Sequence, residues 1–169
     1  MKKLLKNIIK QLKDFEKGKI WIGTNYNEKL NSISEKDVFI RPFPNLHSIS
    51  EIISHLTVWR NETILKIKTG EGSITDDCEE NWLTNDKLIE KGWNKIISEY
   101  KDSLSELIEI LETKDDSFLN EKYFDTDFKD YFEYQFVVYG MLHHDIYHLG
   151  QLGIIIKLLK EGINTNNRK

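Results

Sequence analysis

The stretch HHDIYHLGQ, His143 to Gln151, places three of the chain's five histidines within six residues. An imidazole can ligate a divalent cation through either ring nitrogen, and near neutral pH it also exchanges protons. Spacing decides which use is open. Four residues advance an α-helix by about 400°, so His144 and His148 lie about 40° apart on one face and one turn apart along the axis. Such a pair can grip a metal ion from one side. His143 is rotated by about 100° from His144 and reads as a surface or supporting ring. Two adjacent imidazoles cannot both stay protonated, so at least one offers a neutral lone pair.

The flanks FVVYGML and LGIIIKLL are apolar, and the line of His144 and His148 continues through Val137, Met141, Ile155 and Leu159. Both rings therefore point into a packed interior, where an unpartnered polar ring costs about 2 kcal/mol or more. A third ligand has to come from another segment. His55 is the candidate, one turn from both Ile52 and Trp59 and so on the core side of its helix. Three imidazoles from two helices leave one to three coordination positions open, the arrangement of a catalytic rather than a closed structural site. This ligand set accommodates zinc, nickel, manganese or iron. Histidines bonded to one another in a metal-free core use the same spacing.

Other residues are weighed beside them. Glu51, one turn before His55, either orients that ring or caps its helix. Tyr147 and Gln151 are candidates for contacts to substrate or to the ligands, and His47 belongs to the start of its helix. Cys78, in an acidic loop, reads as a bystander, and that loop is a candidate lid. Gly140, Gly150 and Gly153 weaken the last helix by about 1 kcal/mol each relative to alanine, which close helix packing or access for a ligand would offset.

Four long helical patterns position these groups. The first carries Leu4, Leu5, Ile8, Ile9, Leu12 and Phe15 on one face and ends near Gly18. Lysines 6, 10 and 13 interrupt its apolar run, so it reads as a bundle helix rather than a signal or a membrane span. After a long mixed connection, with a short helix following Thr24 and a turn following Ser34, Ser48 and Glu51 spell a capping box. The second helix runs from there to about Thr69 and stops at Gly70. The third is capped by Thr84 and carries a stripe from Ile89 through Trp93 to Leu111. The fourth runs from about Tyr131 to Lys160 with Gly162 as its cap. YFEYQF alternates like a strand but flows into a helical pattern without a breaker. The fold class is all-α, a four-helix bundle with a long connection between its first and second helices.

The 169 residues suit one domain, taken as 1–169, with 39% hydrophobic and 31% charged residues. A net charge of -4 argues against a phosphate-backbone partner, and no 18-residue apolar span suggests a membrane. With one cysteine there is no internal disulfide, which fits a reduced cytoplasmic setting.

HSISEIISHLTVWR, His47 to Arg60, followed some ninety residues later by HHDIYHLGQLGIIIK, His143 to Lys157, resembles the DinB/YfiT-like superfamily of metalloenzymes. The resemblance covers nearly the whole chain. It implies a four-helix bundle, often a homodimer, with a divalent metal on His55, His144 and His148. It also implies a small-molecule substrate and chemistry of the kinds found among relatives: transfer to a low-molecular-weight thiol such as bacillithiol or mycothiol, isomerisation of maleylpyruvate, or hydrolysis, with the first and last favoured. A non-catalytic, stress-related dimeric bundle is the alternative.

Overall fold

Residues 2–166 are described in the computed structural model, with side chains as far as residue 162. The apolar stripes close into four long helices: α1 (Lys3–Lys17), α3 (Ile49–Thr69), α5 (Trp93–Thr113) and α6 (Tyr134–Asn166). Short helices α2 (Tyr26–Leu30) and α4 (Asn85–Lys91) lie in the connections, and strands β1 (Lys122–Asp125) and β2 (Asp130–Glu133) form a hairpin before α6. The all-α class therefore holds, with one small two-stranded ribbon among the described residues.

Side-chain partners fix the helix directions. Lys2 reaches Glu112 and Tyr100 reaches Glu16, so α1 and α5 run antiparallel. Arg60 meets Tyr100 and Lys68 meets Glu106, so α3 and α5 run parallel. His55 meets His144 while the Tyr134 hydroxyl donates to the Lys66 carbonyl, so α3 and α6 are antiparallel. Parallel neighbours need a crossover that returns the chain to the starting end. Here the segment from Gly70 to Gly92 makes that return alongside α3. It therefore passes the level of His55.

Both ends of α3 are explained locally. Ser48 accepts from the Glu51 amide while Glu51 accepts from the Ser48 amide, completing the capping box. Gly70 closes α3 in the left-handed region at φ 80°. The start of α1 is different, because the Asp116 carboxylate, more than a hundred residues away, accepts from the amides of Lys3, Leu4 and Leu5. The core draws on all four long helices, including Leu5, Leu12, Ile52, Leu56, Leu107 and Leu152.

Five sequence expectations are corrected. The third helical pattern is two helices, α4 and α5, because Gly92 at φ 81° breaks the ladder. Ile89 is consequently on the surface, 55% exposed. Thr84 stands at the start of α4 without a side-chain capping bond. Asp130–Glu133 is a strand, with Phe132 opposite Tyr123, so α6 begins at Tyr134. The helix also continues through Gly162 to Asn166, so Gly162 is not its cap. Leu4, placed on the apolar face of α1, is 51% exposed.

Candidate metal centre

The histidine pair of α6 faces α3 because the helix-period line through Met141 and Ile155 is itself buried. The structure brings His55, His144 and His148 together. The His144 Nε2 atom lies 2.9 Å from that of His55 and 3.0 Å from that of His148. His55 and His148 are buried and His144 half-buried. His143 and His47 are not part of this cluster.

The outer nitrogens decide the tautomers. His55 Nδ1 lies 3.0 Å from the Asn81 carbonyl oxygen, and His148 Nδ1 lies 2.7 Å from Gln151 Oε1. A carbonyl oxygen only accepts, so each Nδ1 carries the proton and each Nε2 turns a lone pair inward. His144 Nε2 faces both lone pairs, and its own Nδ1 is buried without a hydrogen-bond partner. A single proton on His144 can satisfy one neighbour at most. Three Nε2 atoms this close, with two tautomers fixed against donation, suit one shared electrophile, and the donor set matches a divalent cation.

Electrostatics point the same way. Burial, reinforced by His148 and His55, pushes His144 down to about 3. Burial and His55 likewise push His148 down to about 4. His55 is also lowered, chiefly by burial. All three rings are therefore neutral near pH 7, the form that ligates.

The crossover supplies what sequence reasoning missed. Its short 3-10 turn, Glu79–Trp82, delivers the Asn81 carbonyl to His55 while the Asn81 side chain accepts from Trp59 Nε1. Trp82 lies flat between His47 and His55, with ring centroids 3.7 Å and 3.9 Å away. The crossover thus covers one side of the cluster. No sequence signal marks Asn81 beyond its place in a polar loop.

Glu51 does not touch His55. It completes the capping box and pairs with Arg41, so the orienting group is Asn81. Gln151 does contact a candidate ligand. Tyr147 is 63% exposed and meets His148 edge-on, its ring centroid 5.0 Å away. Cys78 is half-buried in the crossover. Behind the cluster, Arg60 donates to Asp145 at 2.9 Å, with both side chains buried, and Tyr26 donates to the Asp145 carbonyl.

A cleft of about 1210 Å³ opens from the three imidazoles. Trp59, Thr63 and Lys66 line it along α3, and Val137, Gly140 and Tyr147 along α6, with the hairpin forming the far wall.

A bundle of this order, with an imidazole from its second long helix meeting two from its last, defines a class of fold and site. Residues 22–152 match the model of the DinB superfamily, and the chain belongs to that superfamily. A DinB-like protein from Bacillus subtilis, YjoA, has a similar solved structure. The two share 15% identity at a TM-score of 0.63, over 89% of this chain and 90% of that one. That likeness concerns the fold. No curated protein matches the chain.

Proposed function

We propose that this protein is a divalent-metal-dependent enzyme, a thiol-dependent S-transferase or a hydrolase, with His55, His144 and His148 as the metal ligands. The observation that carries the reading is the convergence of three neutral Nε2 atoms, two of them held as acceptors by Asn81 and Gln151. Zinc, nickel, manganese and iron all fit the donor set. A bound divalent ion would supply Lewis acidity and lower the pKa of a water or of a thiol such as bacillithiol.

The chain's own groups do the rest. Asn81 and Gln151 hold the ring planes, Trp82 shields His55 from one side, and the cleft leaves the opposite side open to a small molecule. The homodimer that the superfamily resemblance implies belongs to the same proposal, with light scattering as its check. Among the described residues no helix is long and apolar enough to cross a membrane.

Elemental analysis of protein purified without a metal-affinity column tests the reading. About one ion per chain is expected in the wild type and none in His144→Ala. A wild-type protein that neither retains a divalent ion nor takes one up on dialysis rules the metal site out. Activity is then sought with the metal-loaded protein, supplying thiols with electrophiles, and ester or amide substrates. Full metal occupancy with no turnover would favour the non-catalytic bundle.

A further inference from the structure

Gly140 is one turn before His144 on the same side of α6. A glycine there weakens the helix relative to alanine. Close packing is the usual compensation, and the structure does not show it. A Cβ built at Gly140 meets nothing within 4 Å, and the residue lines the cleft. Its φ is also not in the left-handed region that requires glycine. Neither backbone conformation nor a neighbouring helix therefore accounts for this residue. What its missing side chain leaves is room in the cleft beside the imidazoles.

That room leads to an aromatic wall. Counting back from His144 at about 100° per residue, Gly140 is displaced by about 40° and Phe136 by about 80° to the same side, so the three step outward across one face. Phe132 of the hairpin stacks on Phe136 with centroids 4.5 Å apart, and Phe128 packs edge-on against both at 5.5 Å and 5.7 Å. Phe128 and Phe136 are 60% and 47% exposed, which is unusual for rings that have an apolar core available. On the opposite side, the cleft follows α3 from His55 to Lys66, eleven residues or about 16 Å of helix.

Charge narrows the ligand further. Lys66 is buried and already paired with Asp125 at 2.9 Å and Glu62 at 3.7 Å. The other charged lining residues are Asp76, Asp127 and Glu133 against Lys122. An anionic group on the ligand would meet more carboxylates than free cations along this cleft.

Resting on the proposed function, we infer that the cleft binds an elongated, uncharged molecule with an aromatic or branched apolar portion. That portion lies over Gly140 against Phe132 and Phe136, with the reacting end at the three imidazoles. Gly140 is then a specificity-determining residue, because a side chain there occupies the space next to the reacting end.

The test uses a neutral fluorescent probe, 1-N-phenylnaphthylamine, titrated into the full chain. Wild type is expected to bind it with enhanced emission. Gly140→Leu should bind at least tenfold more weakly while melting no lower than wild type, since leucine is the better helix former. Phe136→Ala should also weaken binding. Wild type stripped of metal by a chelator should keep the probe affinity within about threefold of the untreated protein, a figure well inside the tenfold effect, about 1.4 kcal/mol, sought at Gly140. Loss of metal reading and loss of cleft reading are thereby separable. Absence of probe binding in wild type, as when a second copy covers the phenylalanines, overturns the inference. Unchanged affinity in both Gly140→Leu and Phe136→Ala overturns it as well.

Discussion

At the residue scale, the candidate ligands matter less as individual rings than as rings with their protons placed. Gln151 Oε1 accepts from His148 Nδ1 and so directs that ring's lone pair to the shared point. Gln151→Ala should weaken metal binding by about 10- to 100-fold with the fold intact, since groups that orient ligands carry effects of that size. Competition with a chromogenic chelator measures it, and an unchanged affinity would separate Gln151 from the site. The same rings give the metal-free protein a pH dependence. An unfolded histidine titrates near 6.5, whereas His144 and His148 in the fold are pushed down to about 3 and about 4. Between those values the unfolded chain binds protons that the folded chain refuses. Stability is therefore fully present above about pH 6.5 and falls as the pH drops towards about 4. Urea unfolding of chelator-treated protein across this range should show that slope, and replacing both His144 and His148 by Gln should flatten it. All three imidazoles were legible in the sequence because helical spacing and apolar flanks encode direction. Asn81 was not, because its contact is made by a backbone carbonyl, which every residue possesses.

At the scale of elements, the local signal held where two residues cap each other, and it failed at the single-residue caps Thr84 and Gly162. The Ser48–Glu51 box starts α3. Ser48→Ala removes a cap whose hydroxyl also bonds Asn85, at the mouth of α4. A loss of about 1–2 kcal/mol is expected, read as a shift in the urea midpoint with little change in slope. Signals failed where two elements share one periodicity. The stripe from Ile89 to Leu111 keeps helical spacing across Gly92, although the backbone there turns to φ 81° and starts a new helix. The hairpin was hidden for a related reason. Its strands are four residues each, too short to establish alternation against the helix that follows. Asp116, which caps α1, cannot be found by any local rule, because the two ends meet only after the bundle closes.

At the scale of the whole molecule, the parallel pairing of α3 with α5 forces the crossover back past His55, and one buried network ties the bundle together behind the site. Arg60 of α3 donates to Asp145 of α6 and lies over the ring of Tyr100 of α5, its Cζ 4.4 Å from the centroid. Tyr100 in turn donates to Glu16 of α1, and Tyr26 of α2 donates to the Asp145 carbonyl. Asp145 adjoins His144 in sequence, so the pair is positioned to set the rotation of α6 that aims both histidines at α3. Removing one partner leaves an uncompensated charge in the core, which costs about 3–5 kcal/mol. Asp145→Leu and Arg60→Met should each destabilise by about that amount in urea unfolding. The double variant should recover much of it, because a well-packed apolar pair of similar volume is often as stable as the buried ions it replaces. Metal affinity provides the decisive comparison. If the ion pair serves only to hold the bundle together, the double variant binds metal as the wild type does. If it sets the rotation of α6, stability returns while affinity stays reduced, and that separation is the expected result.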